Sequence, residues 1–235
     1  MPANQELQLI AVVPAAGVGA RMCADRPKQY LKIHGTTVLE HTVNKLLSHR
    51  LIDKVVIAIS EKDKYFPELD LALNPDVIRV VGGIERADSV MSALRYVANH
   101  FSTEWVIVHD AARPCFQLSD VDALIDVSFK NHIGGILAAP VADTMKRSDT
   151  SGLIEHTIDR RNMWHAFTPQ MFKVNLLFNA LSGALDSGVP ITDEASALEW
   201  AGEKPELVLG KTSNIKITQP EDLALAEFYM SRDEG

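Results

Sequence analysis

Short apolar runs alternate along this chain with segments whose apolar residues recur at helical spacing, and that alternation predicts the architecture. Leu9–Val13 is apolar throughout, as expected for a strand buried on both sides of a parallel sheet, and the mostly apolar runs Lys54–Ile59, Val77–Val81, Trp105–Val108 and Gly135–Ala139 are the further strand candidates. Between them, Leu39, Val43, Leu46 and Leu47 mark one helix over 38–47. Val90, Met91, Leu94 and Val97 mark another from about Asp88 to Ala98, and a third runs over 119–130. Strand followed by helix in this rhythm implies an α/β fold, a mostly parallel sheet joined by right-handed crossovers. Tyr30–Ile33 is a short strand candidate.

The rhythm breaks at 142–169. ADTMKR, the polar turn SDTSG and LIEHTIDR read as two strands of a hairpin, too long and too polar for a core βαβ unit. An isolated hairpin is marginal in water, so this arm is expected to pack on a second copy of the chain, with packing on its own domain as the alternative. Beyond it, helices are expected at 174–187 and 193–200, strands at 206–209 and 215–217, and a last helix through Met230. Thr218 to Glu221 reads as the capping box of that helix, with Pro220 in its first turn. The sequence contains neither repeats nor a linker, and a single domain over 1–235 with an arm excursion is the expected organisation.

Composition narrows the chemistry. The 235 residues are 46% hydrophobic, enough for a substantial core. A net charge of −8 with a pI near 5.5 excludes a general nucleic-acid binder, which needs a basic face. An anionic ligand must then be met by local cations. Cys23 and Cys115 lie far apart in no metal-ligand spacing, as expected of free thiols in a reducing compartment. No apolar run is long enough to span a bilayer, and MPANQELQ carries no secretory or transit signal. A soluble cytoplasmic protein is the expectation.

Candidate chemistry centres on LIAVVPAAGVGARMCADRPKQY, residues 9–30. A buried strand feeds a loop of small residues, Ala15, Ala16, Gly17 and Gly19, through which backbone N–H groups can approach phosphate oxygens. Arg21 and Lys28 follow. Loop amides with fixed cations suit a nucleoside triphosphate, and the acidic ribose-binding residue of a dinucleotide fingerprint is lacking. Taken alone, the loop also fits a plain strand-to-helix turn. Gly82, Gly83 and Ser89 lie where the third strand ends and the next helix begins. HDAARP, residues 109–114, falls at the end of the fourth. Ligands in such sheets bind beyond the strands' carboxyl ends. Asp110 and Arg113 could equally pair with one another, and Thr192 could cap the helix after it. Lys216, between Ile215 and Ile217, must face water or an anion.

PAAGVGARM with PKQY, GGIERADSV, VHDAARPC, DTMKR, HTIDR, TPQ, TDEASALE and NIKITQPEDL, in that order, resemble the 2-C-methyl-D-erythritol 4-phosphate cytidylyltransferase family of the non-mevalonate isoprenoid pathway. The resemblance spans roughly 9–230. It implies a Rossmann-like domain whose arm interlocks two subunits. It also implies a reaction, in which CTP and methylerythritol phosphate give the diphosphocytidyl derivative and pyrophosphate with Mg²⁺. Carried over by position, it gives Arg21 and Lys28 the transition state, and Ala15, Ala16 and Gly17 the nucleotide. Gly83 and Ser89 read cytosine. Asp110, Arg113, Thr144, Thr168 and Thr192 hold the polyol phosphate, and Arg160 and Lys216 position its phosphate, with Arg160 and Thr168 serving the partner's site. The metal ligands stay unassigned.

Two positions depart from the pattern: Ile84, where some relatives are acidic, and Phe167 before TPQ, where many carry glutamine. Cytidylyltransferases for other polyol phosphates, notably ribitol 5-phosphate, look much alike. A nucleotide-binding regulatory module is discouraged by cations on several separate loops. The phosphate nucleophile is already anionic, so the mechanism calls for positioning and charge neutralisation rather than a general base.

Overall fold

A computed structural model describes residues 8–17 and 26–233. Arg21, Gly19 and Cys23 lie outside the described residues. The chain forms β1 (Leu9–Pro14), a 3₁₀ turn (Lys28–Tyr30), β2 (Lys32–Ile33), β3 (Thr36–Thr37), α1 (Val38–Leu47), β4 (Ile52–Ile59), β5 (Val77–Val81) and α2 (Arg86–His100). It continues with β6 (Trp105–Val108), α3 (Leu118–Asn131), β7 (Gly134–Pro140), β8 (Met145–Ser148), β9 (Ile154–Ile158) and β10 (Trp164–Lys173). The last elements are α4 (Val174–Asp186), α5 (Glu194–Trp200), β11 (Glu206–Leu209) and α6 (Pro220–Asp233).

Seven strands form one sheet in the order β11-β7-β10-β6-β1-β4-β5. β1 pairs in parallel with β4 and β6, β4 with β5, and β7 with β11, whereas β10 runs antiparallel between β6 and β7. Alternation along β1 explains its lack of a polar face. Leu9, Ala11 and Val13 point into a core shared with Leu39 and Val43 of α1 and with Val121 and Leu124 of α3. Ile10 and Val12 point the other way, toward Val90 and Leu94 of α2 and Leu177 of α4. Helices on both faces leave neither side of β1 to water, so its period-two polarity is lost; the edge strands β5 and β11 keep exposed positions, with Val81 and Leu209 open to solvent. α1 begins with a capping box, in which Thr37 Oγ1 accepts from the Glu40 N–H and the Glu40 carboxylate accepts from the Thr37 N–H.

Four elements differ from expectation. Trp164–Lys173 is one continuous strand, with Trp164 to Ala166 already opposite Pro140 to Ala138 in the main sheet. The arm therefore ends before 164, and Thr168 lies in the sheet rather than on the arm. The polar appearance of HAFTPQ masked a strand that buries Thr168 and Gln170 by hydrogen bonding them. Residues 215–217 form no strand; they cross the sheet's end as a loop, held by Ile217 N–H to Ala112 O at 2.8 Å. Tyr30 belongs to a 3₁₀ turn, and only Lys32–Ile33 is strand. At α6 the carboxylate that accepts from the Thr218 and Gln219 N–H groups, at 2.8 and 2.9 Å, is Asp222 rather than Glu221. The helix starts at Pro220 as expected, which puts Asp222 at its third position, where a side chain can reach back.

The hairpin itself matches expectation. β8 and β9 pair antiparallel as a separate two-stranded sheet, Met145 opposite Ile158 and Arg147 opposite His156. Most of it faces outward, with Leu153 and Ile154 69% and 66% exposed.

Candidate active site

The chain leaves β1 toward β4 and β5 on one side and later returns to β6 on the other, so the sheet's topological switch point lies between β1 and β6. A cavity of about 400 Å³ opens there, beyond the carboxyl ends of those strands. Its wall comprises Pro14 to Gly17 after β1, Lys28 and Gln29, Ile84 to Arg86 with Ser89, Asp110 to Ala112 after β6, and Lys216 with Thr218.

The small-residue loop is held from behind. Gln29, buried, donates from Nε2 to Ala15 O at 2.8 Å and to Gly17 O at 3.1 Å. With these carbonyls turned toward Gln29, the segment keeps one backbone shape. The double glycine is required by close approach: a Cβ on Gly82 would sit 2.6 Å from the Ala16 Cβ, and one on Gly83 would sit 2.2 Å from the Asp88 Cβ. Ser89 Oγ accepts from Gly83 N–H at 3.1 Å and donates to Glu85 O at 3.2 Å, which folds this turn against the first turn of α2.

Charge enters from four segments of the chain. Lys28 Nζ donates to Ile217 O at 2.8 Å. Lys216 Nζ lies 2.7 Å from Asp110 Oδ2. Arg86 Nε donates to Asp110 Oδ1 at 2.9 Å, and Arg113 Nε lies 3.6 Å from Oδ2. Burial alone would raise the pKa of Asp110. Arg86, Lys216 and Arg113 outweigh it and hold the carboxyl well below the usual carboxylate range. Burial likewise opposes the charge on Arg86, and Glu194 and Asp110 overcome it, raising its pKa. For Arg113, burial dominates and its pKa falls; its guanidinium lies 5.3 Å above the ring of Phe167. Phe167 thus supplies a cation–π face to this guanidinium.

Behind Asp110 a hydrogen-bonded chain fixes a tautomer. His109 Nε2 faces Arg113 O at 2.9 Å, an acceptor only, so Nε2 carries the proton. Nδ1 then accepts from the Thr168 hydroxyl at 3.0 Å, and that hydroxyl oxygen accepts from Asp110 N–H at 3.0 Å. Burial lowers the pKa of His109 to about 4, against smaller raising contributions from its hydrogen bond to Arg113 O and from Asp110. The ring is neutral at pH 7.

Of the residues singled out from sequence, Ala15, Ala16, Gly17, Lys28, Ser89, Asp110 and Lys216 meet on one wall. Gly83 adjoins it through Ser89. Arg113 and Thr168 are buried behind Asp110. Thr144 and Arg160 are exposed on the arm and Thr192 is exposed before α5; none of the three lines the cavity of its own chain. The cap of α5 is Asp193, whose Oδ1 accepts from Ser196 N–H at 2.9 Å, so Thr192 is not the cap. Sequence reasoning passed over Gln29, Arg86, His109 and Glu194. Each sat inside a quoted motif, PKQY, GGIERADSV, VHDAARPC or TDEASALE. A glutamate directly after a capping aspartate and inside an apolar helix face was the available signal for Glu194.

Fold and cavity define an α/β protein that gathers cations from separate loops around one pocket at the sheet's switch point, the class to which nucleotide-handling enzymes belong. A family model for 2-C-methyl-D-erythritol 4-phosphate cytidylyltransferase matches residues 9–232, and the chain belongs to that family. It is 66% identical over 226 residues to the protein of that name from Vibrio parahaemolyticus, covering 96% of this chain and 97% of the relative. It is 61% identical over 233 residues to that from Vibrio vulnificus, covering 99% and 98%. Among solved structures, a crystal structure of the Francisella tularensis 2-C-methyl-D-erythritol 4-phosphate cytidylyltransferase superposes with a TM-score of 0.82 at 33% identity, covering 94% of this chain and 99% of that one. A 4-diphosphocytidyl-2C-methyl-D-erythritol synthase gives 0.82 at 37% identity, covering 95% and 98%.

Proposed function

We propose that the chain transfers a cytidylyl group from CTP to 2-C-methyl-D-erythritol 4-phosphate. A phosphate oxygen of the polyol phosphate attacks the α-phosphorus of CTP, the bond to the β-phosphate breaks, and pyrophosphate leaves with the electron pair. The observation that carries the reading is the meeting of Lys28, Lys216 and the Ala15–Gly17 loop on one wall of a protein with net charge −8. Two anions must be brought together there, and preorganised cations are the means of lowering that barrier.

In this reading Ala15, Ala16 and Gly17 present backbone to the triphosphate, with Arg21 and Lys28 stabilising charge on the transferred phosphoryl group and leaving pyrophosphate. The turn carrying Gly83 and Ser89 receives cytosine. Asp110, Arg113, Thr144, Thr168 and Thr192 form the polyol side, and Lys216 with Arg160 orients the attacking phosphate. The Thr168 hydroxyl is engaged at both ends by His109 and Asp110, which supports an action through the backbone of Asp110. The exposed hairpin with Leu153 and Ile154 favours a homodimer in which the arm brings Thr144 and Arg160 to the partner's pocket. Among the described residues no group of three or more His, Cys, Asp or Glu is placed to hold a metal. Asp110 and Glu85 are the carboxylates on the wall, and both oxygens of Asp110 contact cations. That donor set suits Mg²⁺ held mainly by substrate phosphates rather than by a protein cage. Bound so, the ion neutralises phosphate charge. Among the described residues no helix is long and apolar enough to cross a membrane, and the buried Cys115 Sγ donates to Ala226 O at 3.6 Å; a cytoplasmic setting is part of the proposal.

The test is pyrophosphate release with Mg²⁺, CTP against ATP, GTP and UTP, and methylerythritol phosphate against ribitol 5-phosphate. Turnover is expected with CTP and methylerythritol phosphate. Faster turnover with ribitol 5-phosphate, or with a purine nucleotide, would overturn the assignment.

A further inference from the structure

The cavity wall holds a further cation, Arg86, at the first position of α2. Its Nη1 and Nη2 donate to the two oxygens of Glu194 at 2.6 and 3.0 Å, while Nε donates to Asp110 Oδ1 at 2.9 Å. Glu194, at the first position of α5, is 1% exposed. Asp110 Oδ2 holds Lys216 Nζ at 2.7 Å. Glu194, Arg86, Asp110 and Lys216 thus form a continuous chain of alternating charge.

Buried ion pairs are poor sources of stability, since desolvation offsets much of their attraction. What a bidentate guanidinium provides is direction: a planar fork fixed on one carboxylate leaves Nε aimed along one line at another. Lys216 and Arg113 both pull on one oxygen of Asp110, Oδ2, which leaves rotation about the bond to its carboxylate to be set at Oδ1. Arg86 on Oδ1 fixes that rotation. Arg86 also stands midway between Gly83 and Ser89 in sequence, so the same side chain ties the turn assigned to the base to the lysine assigned to the attacking phosphate.

We propose that Arg86, anchored by Glu194, is a positioning residue for the transfer reaction, holding Asp110 so that its second oxygen aims the Lys216 ammonium into the pocket. The proposal rests on the cytidylyl-transfer reading above. Lysine at 86 keeps the charge but cannot span two carboxylates in one plane.

The test is a double-mutant cycle in the full chain with Arg86→Lys, Lys216→Ala and the pair, read by steady-state pyrophosphate release. Arg86→Lys is expected to lower kcat/KM for the polyol phosphate about tenfold or more while changing the KM for CTP less than about threefold. In the Lys216→Ala background the same change should cost less than about threefold, because its target is gone. Equal losses in both backgrounds would overturn the proposal, since a merely structural defect adds independently. If Arg86→Lys does not fold by circular dichroism, Glu194→Gln enters the same cycle. A readout independent of turnover is the ¹³C-methyl resonance of reductively methylated Lys216, assigned with Lys216→Ala. It should shift in Arg86→Lys, and an unmoved resonance would overturn the proposal even if the wild type proved inactive with these substrates.

Discussion

Acidification tests the buried chain behind Asp110 without reference to any substrate. His109 is fully buried, and its pKa falls from 6.5 to about 4 on folding. As pH drops through 6.5, the unfolded chain takes up a proton at this position that the folded chain refuses until about pH 4. Stability is therefore complete above about pH 6.5 and lost progressively toward pH 4, with a slope of up to about 1.4 kcal/mol per pH unit and a total of about 3 kcal/mol. Asp110, held below the usual carboxylate range, stays ionised across this window, so its own contribution is lost only at lower pH. The assay is urea unfolding from pH 7.5 to 4.5, comparing wild type with His109→Gln. The variant should be the less stable at pH 7.5, where it disturbs the bonds to Thr168 and Arg113 O. Its deficit should shrink by about 2 to 3 kcal/mol by pH 4.5. A deficit that stays constant with pH would refute the claim that His109 is neutral and resists protonation.

Three other outcomes are expected. Lys28→Ala should lower kcat by about 10²- to 10³-fold, as for loss of a preorganised donor, with a much smaller change in CTP affinity measured by calorimetry. Equal losses in both would refute its transition-state role. Gly82→Ala should raise the KM for CTP about tenfold or more with secondary structure intact by circular dichroism, because the added carbon meets Ala16 at 2.6 Å; an unchanged KM would show that the loop gives way freely. Mixing Lys28→Ala with Arg160→Ala subunits should restore about a quarter of wild-type activity at equal proportions if the arm crosses between subunits, since half the dimers are then mixed with one intact site of two. Restoration should be absent if each arm serves its own chain.

The architecture was legible because burial on both faces leaves a plain mark. β1, β4, β6 and β7 are apolar runs, and the helices between them keep one apolar stripe. The pocket was legible in part, because residues at strand ends are set by topology once the strands are known. What escaped was polar burial. Thr168 and Gln170 look like surface residues in sequence and are interior only because His109, Asp110 and Ala195 bond them. Arg86 and Glu194 are 108 positions apart, so neither signals the other along the chain. The loop at 215–217 read as a strand because Ile217 is apolar, yet it is buried against Ala112 and Cys115 under α6 rather than in the sheet.

The interior position of β1 in the sheet carries a consequence for synthesis. Its two neighbours come later, Val12 pairing with Val56 and with Val108, and the pocket wall draws on residues from Pro14 to Thr218. A nascent chain still short of Thr218 lacks part of that wall, however well its earlier strands have docked. Proteolytic pieces ending before that point share the defect, so the wall closes only once the segment carrying Lys216 and Thr218 has been made and docked.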